Sequence, residues 1–490
     1  MQSTLSANPS RPIRHIQYPI MLGLIFCSLF SLQCKKEMTT TSSSAKLAFS
    51  TNLVFFDTVF VSQGSSVRIF VVHNYNNEAI VTSIKLAGNF TSSFEINVDG
   101  VPGVNFNNVK IPANDSIYIF TQVNINPLNG NSPALVQDSL IFTTNGNTQW
   151  VDLHAYGWNA YYYYPNNFLK NGAYSAINSS DNVWKNDKPH VVFGDLFDTA
   201  GCPLTIEAGT LVYFHNNGEL IIDSGATLTV SGTSSHPVIF QGDRLEPAYA
   251  NLPQQWNGLL LYKSTNCRIS WAVIQNATTG IQVDTLSGHL RYALVMDHTI
   301  IKVMAGYGLL AEGTNISANN CLIADCQSGC LALFYGNYYE FYQCTFADYW
   351  GVDNSYGQRS SALLSMNNGY YSAAGQNIFR ALDSAYFYNC IVYGALNEEL
   401  ALDSSHGPMF NYYFENCVVK TQTNITGAHG SGNITQDPLF VDPGGENYTL
   451  NAGSPASAPG AANTTIASKY PIDLAGNSFS GTPSIGAYWK

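Results

Sequence analysis

Apolar and polar residues alternate in short runs along this chain, and no run keeps a helical period for long. VRIFVVHN (67–74), SIYIFTQVNI (116–125) and DSLIFTTNG (138–146) each read as a strand with one buried face. Polar turn clusters separate them: SQGSS, NYNNE, NVDGVPG, PAND and NPLNGNS. Short strands at about this spacing predict a β-sandwich over 47–157. The next stretch, 158–190, is aromatic and Asn-rich, including YYYY at 161–164, and reads as a packed junction.

From 191 the pattern becomes repetitive. LTIEAGTLVYF (204–214) and LIIDSGATLTV (220–230) share strand, acidic residue, small residue, Gly and strand. Further on, one phrase returns as NNCLIAD (319–325), EFYQCTFAD (340–348), FYNCIVYG (387–394) and FENCVVK (414–420). The apolar residue two positions after each Cys gives the period. Ile274, Ile301, Ile323, Phe346, Val392 and Val419 are separated by 27, 22, 23, 46 and 27 residues. Forty-six is two steps of 23, which predicts one further coil hidden in 350–385. A repeat of this length holding several short strands fits one coil of a parallel β-helix, in which each coil buries its inner face only by stacking on the next.

These patterns resemble known families. LTIEAGTLVYF, LIIDSGATLTV, GTSSHPVIFQGD and QQWNGLLLY, in that order, resemble the opening coils of right-handed parallel β-helix proteins of the pectate-lyase-like kind. FFDTVFVSQGSS and QDSLIFTTNGNTQWVDLHAYG look like the immunoglobulin-like modules that precede such helices in bacterial envelope lipoproteins. The tail 437–490 is similar to the closing segment of bacterial surface β-helix proteins: Asp437–Phe440, Asn447–Leu450, Ser454–Ala456, Asp473–Gly476 and Ile485–Tyr488 occur in order. It lacks the Arg usual after Asp-x-x-Gly, which puts an ionic lock there in doubt. The expected fold is all-β: an N-terminal immunoglobulin-like β-sandwich, a right-handed parallel β-helix over 191–436, and a C-terminal segment at 437–490 that caps the open strands.

The N-terminus changes the address. Arg11 and Arg14 precede the apolar run YPIMLGLIFCSLFSLQ (18–33), which ends at Cys34. That run is short for a membrane span. A signal peptide ending on Cys resembles a bacterial lipoprotein, which implies removal of 1–33, lipidation of Cys34 and an outer-membrane or cell-envelope location. Gln33 departs from the small residue usual before that Cys. The polar 34–46 stretch reads as a flexible tether.

Composition narrows the partners. Charged residues make up 11% and the net charge is −12. That argues against nucleic acid and against an anionic polymer as the main partner. Eight cysteines follow Cys34, without a C-x-x-C pair. Cys321, Cys344, Cys390 and Cys417 read as an inward-facing ladder, with disulfides as the alternative and no metal or other cofactor expected.

Candidate chemistry is confined to interruptions of the repeat. Asp243, Arg244, Glu246 and Trp256 form a loop cluster that reads as a sugar-binding patch or as an internally paired loop. ADYWGVDNSYGQR (347–359) brings Asp348, Trp350, Asp353 and Arg359; NEELALDSSH (397–406) brings Glu398, Glu399, Asp403 and His406. These loops are expected to project from the coil and to frame any ligand groove. His429 in GAHGSG superficially resembles the His in the Gly-His-Gly of polygalacturonases, but their companion motifs are missing, so it reads as a loop residue. A carbohydrate-binding face would need exposed aromatics among Trp256, Tyr349, Trp350 and Tyr356; a glycoside hydrolase would need two carboxyl groups about 5–9.5 Å apart in an open groove. The favoured reading is a non-enzymatic envelope protein that binds or presents ligands, neutral glycans or another envelope protein among them. A polysaccharide-active hydrolase or lyase is the runner-up, and a structural or adhesive scaffold comes third.

Overall fold

A computed structural model describes residues 38–169, 172–284, 292–352, 357–478 and 481–489. Cys34, Asp353 and Tyr356 lie outside the described residues. The chain divides into two compact units. The first holds residues up to Phe55 with Ser66–Val123 and Gln137–His154; the second holds Phe56–Ser65, Asn124–Val136 and everything from Ala155.

The first unit is built from two five-stranded sheets. One has the order Ala48–Phe49, Arg68–Asn74, Asp115–Val123, Phe94–Val98, Val101–Gly103, with antiparallel pairing throughout. The other has the order Leu53–Phe60, Asn147–Trp158, Ala134–Thr144, Ile80–Leu86, Asn105–Ile111. Alternation sets the layers: Phe70, Val72, Ile117 and Ile119 are buried while Ile69 and Tyr118 point outward. Phe49 of one sheet packs on Phe142 of the other, ring centres 4.8 Å apart. The alternation read from the sequence therefore marks a β-sandwich.

The second unit is a parallel β-helix with three ten-stranded sheets, consistent with the right-handed crossover that parallel connections adopt. Sheet I runs from Tyr161–Tyr163 to Val418–Val419, sheet II from Asn167–Leu169 to Leu400–Asp403, and sheet III from Val183–Trp184 to Gly430–Ser431. In sheet I, Phe240, Ile274, Ile301, Ile323, Phe346, Val392 and Val419 pair rung by rung. All are buried. The inward ladder expected from Ile274 to Val419 is therefore present, with Phe240 as an earlier rung.

The hidden coil does not exist. Phe346 pairs directly with Val392. The long step is a single coil that carries the 349–363 excursion and a hairpin, Gly369–Tyr371 with Asn377–Phe379. The aromatic stretch 158–190 is no separate junction either: Tyr161–Tyr163 already pairs in parallel with His190–Val192 as the first rung of sheet I.

The recurring Asn/Gln-Cys has a backbone reason. At the corner from sheet III to sheet I, Asn320, Gln343, Asn389 and Asn416 have φ between 49° and 52°, a left-handed conformation that Asn tolerates best after Gly. The following Cys321, Cys344, Cys390 and Cys417 point into the core as free, buried thiols. The stack of thiols is thus the small-residue lining of a tight corner.

Both mouths of the coil are filled by its own residues. Trp184 stacks against Tyr163 and His190 at 5.1 and 4.7 Å at the first coils. Ile425 inserts into the core at the last, where Asn433 Nδ2 donates to Phe414 O and Ile425 O at 2.8 and 3.1 Å.

The tail is a strap along the flank, and this corrects the expected end cap. The outward residues of sheet I are apolar, so the face needs cover. Leu322, Ala324, Ile391 and Val418 are buried under Phe440, Tyr448, Leu450, Leu474 and Ile485. The strap also binds the corner ladder. Gln343 Nε2 donates to Ser484 O (3.3 Å), Asn416 Nδ2 to Ala461 O (2.9 Å), and Asn389 exchanges two bonds with the Asn463 backbone (2.9 and 2.7 Å). Where an Arg would close an ionic lock, buried Asp473 instead accepts from the backbone N–H groups of Ala475, Asn477 and Trp489.

Candidate functional site

With sheet I strapped over, the outer face of sheet III is the one that changes character along the coil. Its early outward rungs are small or polar: Thr205 over Thr229, and Ser231 over Ser270. From the coil at 338 onward they become aromatic. Glu340, Tyr386 and Tyr413 stand in one row; Tyr342, Tyr388 and Glu415 stand in the next. The cause is strand parity. Phe341, Phe387 and Phe414 stack inward at 5.1 and 4.7 Å, so their immediate neighbours must face out.

These rows bound a cleft of about 480 Å³ lined by Tyr386, Tyr388, Asn411, Tyr412, Tyr413, Ala428 and His429. Tyr386 stands edge-on to Tyr413 (6.4 Å, 85°), and Tyr342 lies flat on Tyr388 (5.1 Å, 7°). His429 lies flat on Tyr412 at 4.3 Å, so the loop residue of GAHGSG forms one wall. Lys469 of the strap lies 4.8 Å over the Tyr342 ring. The hydroxyls of Tyr386 and Tyr388 have no hydrogen-bond partner among the described residues, whereas Tyr413 meets Ser431 Oγ at 3.1 Å.

The acids on this face are already engaged. Glu340 accepts from the Tyr338 hydroxyl at 2.7 Å and from Tyr292. Glu415 accepts from Asn463 Nδ2 at 2.6 Å. Burial, then Glu415, raises the Tyr388 hydroxyl above its ordinary pKa, so it stays a neutral donor near neutral pH. Flat rings with free hydroxyls beside occupied carboxylates make a stacking and hydrogen-bonding surface.

The residues expected to carry chemistry are mostly structural. Asp243 pairs with His215 Nδ1 at 2.7 Å, and Arg244 forms a fork with Glu246 (3.0 and 2.8 Å) while lying 4.0 Å over Tyr249. Trp256 is not part of that surface. It is buried, lies flat on Phe214 at 4.0 Å, and donates to Gln275 O. The loop is the internally paired one.

The excursion residues do come together, but inside. Arg359 makes a fork with Glu399 (2.8 and 2.7 Å) and lies 3.3 Å from Asp348, all three buried. Glu399 also accepts from Leu363 N and Leu396 N. Burial pushes Asp348 up to about 8, with Arg359 opposing. This cluster fastens the excursion to the coil and does not project from it, because Asp348 shares the inward parity of Phe346. Glu398 is spent on Leu400 N and Gln422 N. Asp403 is held below its usual range by bonds from Ser405, and His406 is buried against Asn377 (2.7 Å).

The expected aromatic platform is not formed by the three of its four aromatics that are described; Tyr356 lies outside the described residues. Trp350 is buried, and Tyr349 packs against Phe440 and Tyr448 under the strap. Among the described residues no group of three or more His, Cys, Asp or Glu could hold a metal ion. The tyrosines that replace the platform were legible in EFYQC (340–344), YFYNC (386–390) and YFENC (413–417), where outward residues flank an inward Phe.

Sheet II carries acids of a different kind. Asp195 and Glu219 are direct neighbours on adjacent coils, and the next rung is Gly258. Burial, then Asp195, raises Glu219 to about 7.

No family model matches this chain, and no curated protein does. Among solved structures, the chain shows similarity to the E. coli chaperone DraB (9% identity, TM-score 0.17, covering 23% of this chain and 56% of that one). It shows similarity also to the CooA pilin subunit from enterotoxigenic Escherichia coli (11%, 0.18, 24% and 97%). A third is a family 123 glycoside hydrolase from Clostridium perfringens (9%, 0.18, 25% and 30%), so that these likenesses take in about a quarter of the present chain.

Proposed function

We propose that this is a non-enzymatic, lipid-anchored envelope protein that binds neutral glycans on the tyrosine face of sheet III. In this reading Cys34 is acylated, the sandwich is an immunoglobulin-like spacer, and the β-helix presents the ligand face. The observation that carries it is the cleft of Tyr386, Tyr388, Tyr413 and the stacked Tyr412–His429 pair, with two free hydroxyls and no free carboxylate pair. Sugar rings stack on aromatic faces through their C–H edges, and the net charge of −12 disfavours anionic polysaccharides.

The test is a glycan array probed with the detergent-solubilised full chain. Binding to neutral glycans is expected, and Tyr388→Ala or Tyr413→Ala should weaken it about tenfold, as loss of about 1.4 kcal/mol of ring contact implies. Neutral-glycan binding untouched by both substitutions would sink the assignment of this face.

A glycan hydrolase is the second reading, favoured only by Asp195 and Glu219, whose raised carboxyl group suits a general acid. It predicts product release from a bound glycan that Glu219→Gln abolishes.

A further inference from the structure

Residues 38–47 are docked and not a free tether. Thr40 N donates to Ala79 O at 2.9 Å and Ala79 N to Met38 O at 2.8 Å, which makes Thr39 a parallel bridge partner of Ala79. Asn145 Nδ2 donates to Thr40 O and Ser42 O (3.0 and 3.1 Å), and Asn147 Nδ2 to Ser43 O (2.6 Å). Leu47 and Gln149 exchange two bonds at 3.0 and 2.8 Å, and Ala45 and Leu47 are buried. The same end of the sandwich gathers the turns after Asn74 and Ile111. Asn114 N donates to Asn76 O at 3.1 Å, and Asn76 Nδ2 to Lys46 O at 3.2 Å.

Chain length then sets a limit. Cys34 precedes Met38 by four residues, which span at most about 14 Å when fully extended. A lipid on Cys34 would hold this end of the sandwich within reach of the headgroups. The surface there suits that position. Met38 is 68% exposed and Tyr75 is 70% exposed, its ring flat against His73 at 5.2 Å. The neighbouring turns supply Asn76, Asn77, Asn114 and Asn145, and their charges are Lys46, Glu78 and Asp115. An amide-rich surface of low net charge with one exposed tyrosine matches the membrane–water interface, where amphipathic rings settle.

We propose that this end of the sandwich, with Met38 and Tyr75 at its tip, docks on lipid headgroups and holds the first unit against the membrane. The proposal rests on the acylation of Cys34.

The test uses the full chain, expressed with lipid processing and reconstituted in zwitterionic phospholipid vesicles. A nitroxide is attached at Asn77→Cys, in the same turn and leaving Tyr75 in place; the eight cysteines of the described residues are buried, so the new thiol is the reactive one. The label is expected to be more accessible to dissolved oxygen than to a water-soluble nickel chelate. A Gly/Ser spacer of about fifteen residues inserted before Met38 should reverse that preference. Acylated Cys34 by mass spectrometry, with the label equally open to the chelate in both chains, overturns the docking alone. Unmodified Cys34 overturns the anchor, and the docking with it.

Discussion

Asp198 shows what a single side chain costs in this fold. It points inward from sheet II and is buried; Oδ2 accepts only from Leu204 N at 3.4 Å, and Oδ1 has no partner among the described residues. Burial raises its carboxyl group to about 7 from the ordinary 3.8. The folded chain therefore holds a proton there that the unfolded chain releases. This contribution to stability is complete below about pH 4, falls as pH rises between 4 and 7, and is flat above. The full swing has an upper bound of about 4 kcal/mol. Asp198→Asn should raise the urea midpoint over wild type more at pH 8 than at pH 4.5. An equal shift at both pH values would remove the carboxyl group as the cause. The same parity that turns Asp198 inward was available for Asp348, two residues after inward Phe346. The sequence patterns put Asp348 and Arg359 in one interruption of the repeat and Glu399 in another. They did not show that Arg359 folds back, since a pairing 40 residues apart leaves no local trace.

At the scale of the element, the corner ladder was legible and the coil length was not. Inward residues repeat because each must stack on the last, so Ile274 to Val419 could be counted from the chain. An excursion between two corners adds length without disturbing that ladder. The 46-residue step was therefore indistinguishable from two coils until Phe346 was seen to pair with Val392. The corner also separates two roles of one residue type. Asn320 and Asn389 share the left-handed backbone (φ 49° and 52°). Asn389 also exchanges two bonds with Asn463 of the strap, while the Asn320 side-chain amide has no partner among the described residues. Both alanine substitutions lose the tolerance for that conformation, and only Asn389→Ala frees the strap. Asn389→Ala should cost about 1–2 kcal/mol more in thermal unfolding than Asn320→Ala. Faster amide exchange in 461–474 should appear in Asn389→Ala alone; equal costs and equal exchange would deny the strap its corner anchor.

For the whole molecule, the cysteines give one count that tests the fold and the proposed anchor together. The chain has ten, and the eight in the described residues are free and buried. Burial pushes the thiols of Cys321, Cys330 and Cys390 well above their ordinary value, so they hold little thiolate and little reactivity. Burial closes all eight off from reagent, so the native protein should give almost no reaction with an aromatic disulfide reagent. Denaturant opens all coils and should release eight thiols if, as proposed, the processed chain has lost Cys27 and carries its lipid on Cys34. An intact, unprocessed chain would give ten, and a chain cut before an unmodified Cys34 would give nine. Each disulfide formed, as an oxidising compartment would favour, would lower the count by two, restored by reductant, and would contradict the free ladder. Eight thiols without reductant, silent until unfolding, is the result that the stacked corner and the proposed lipid anchor together require.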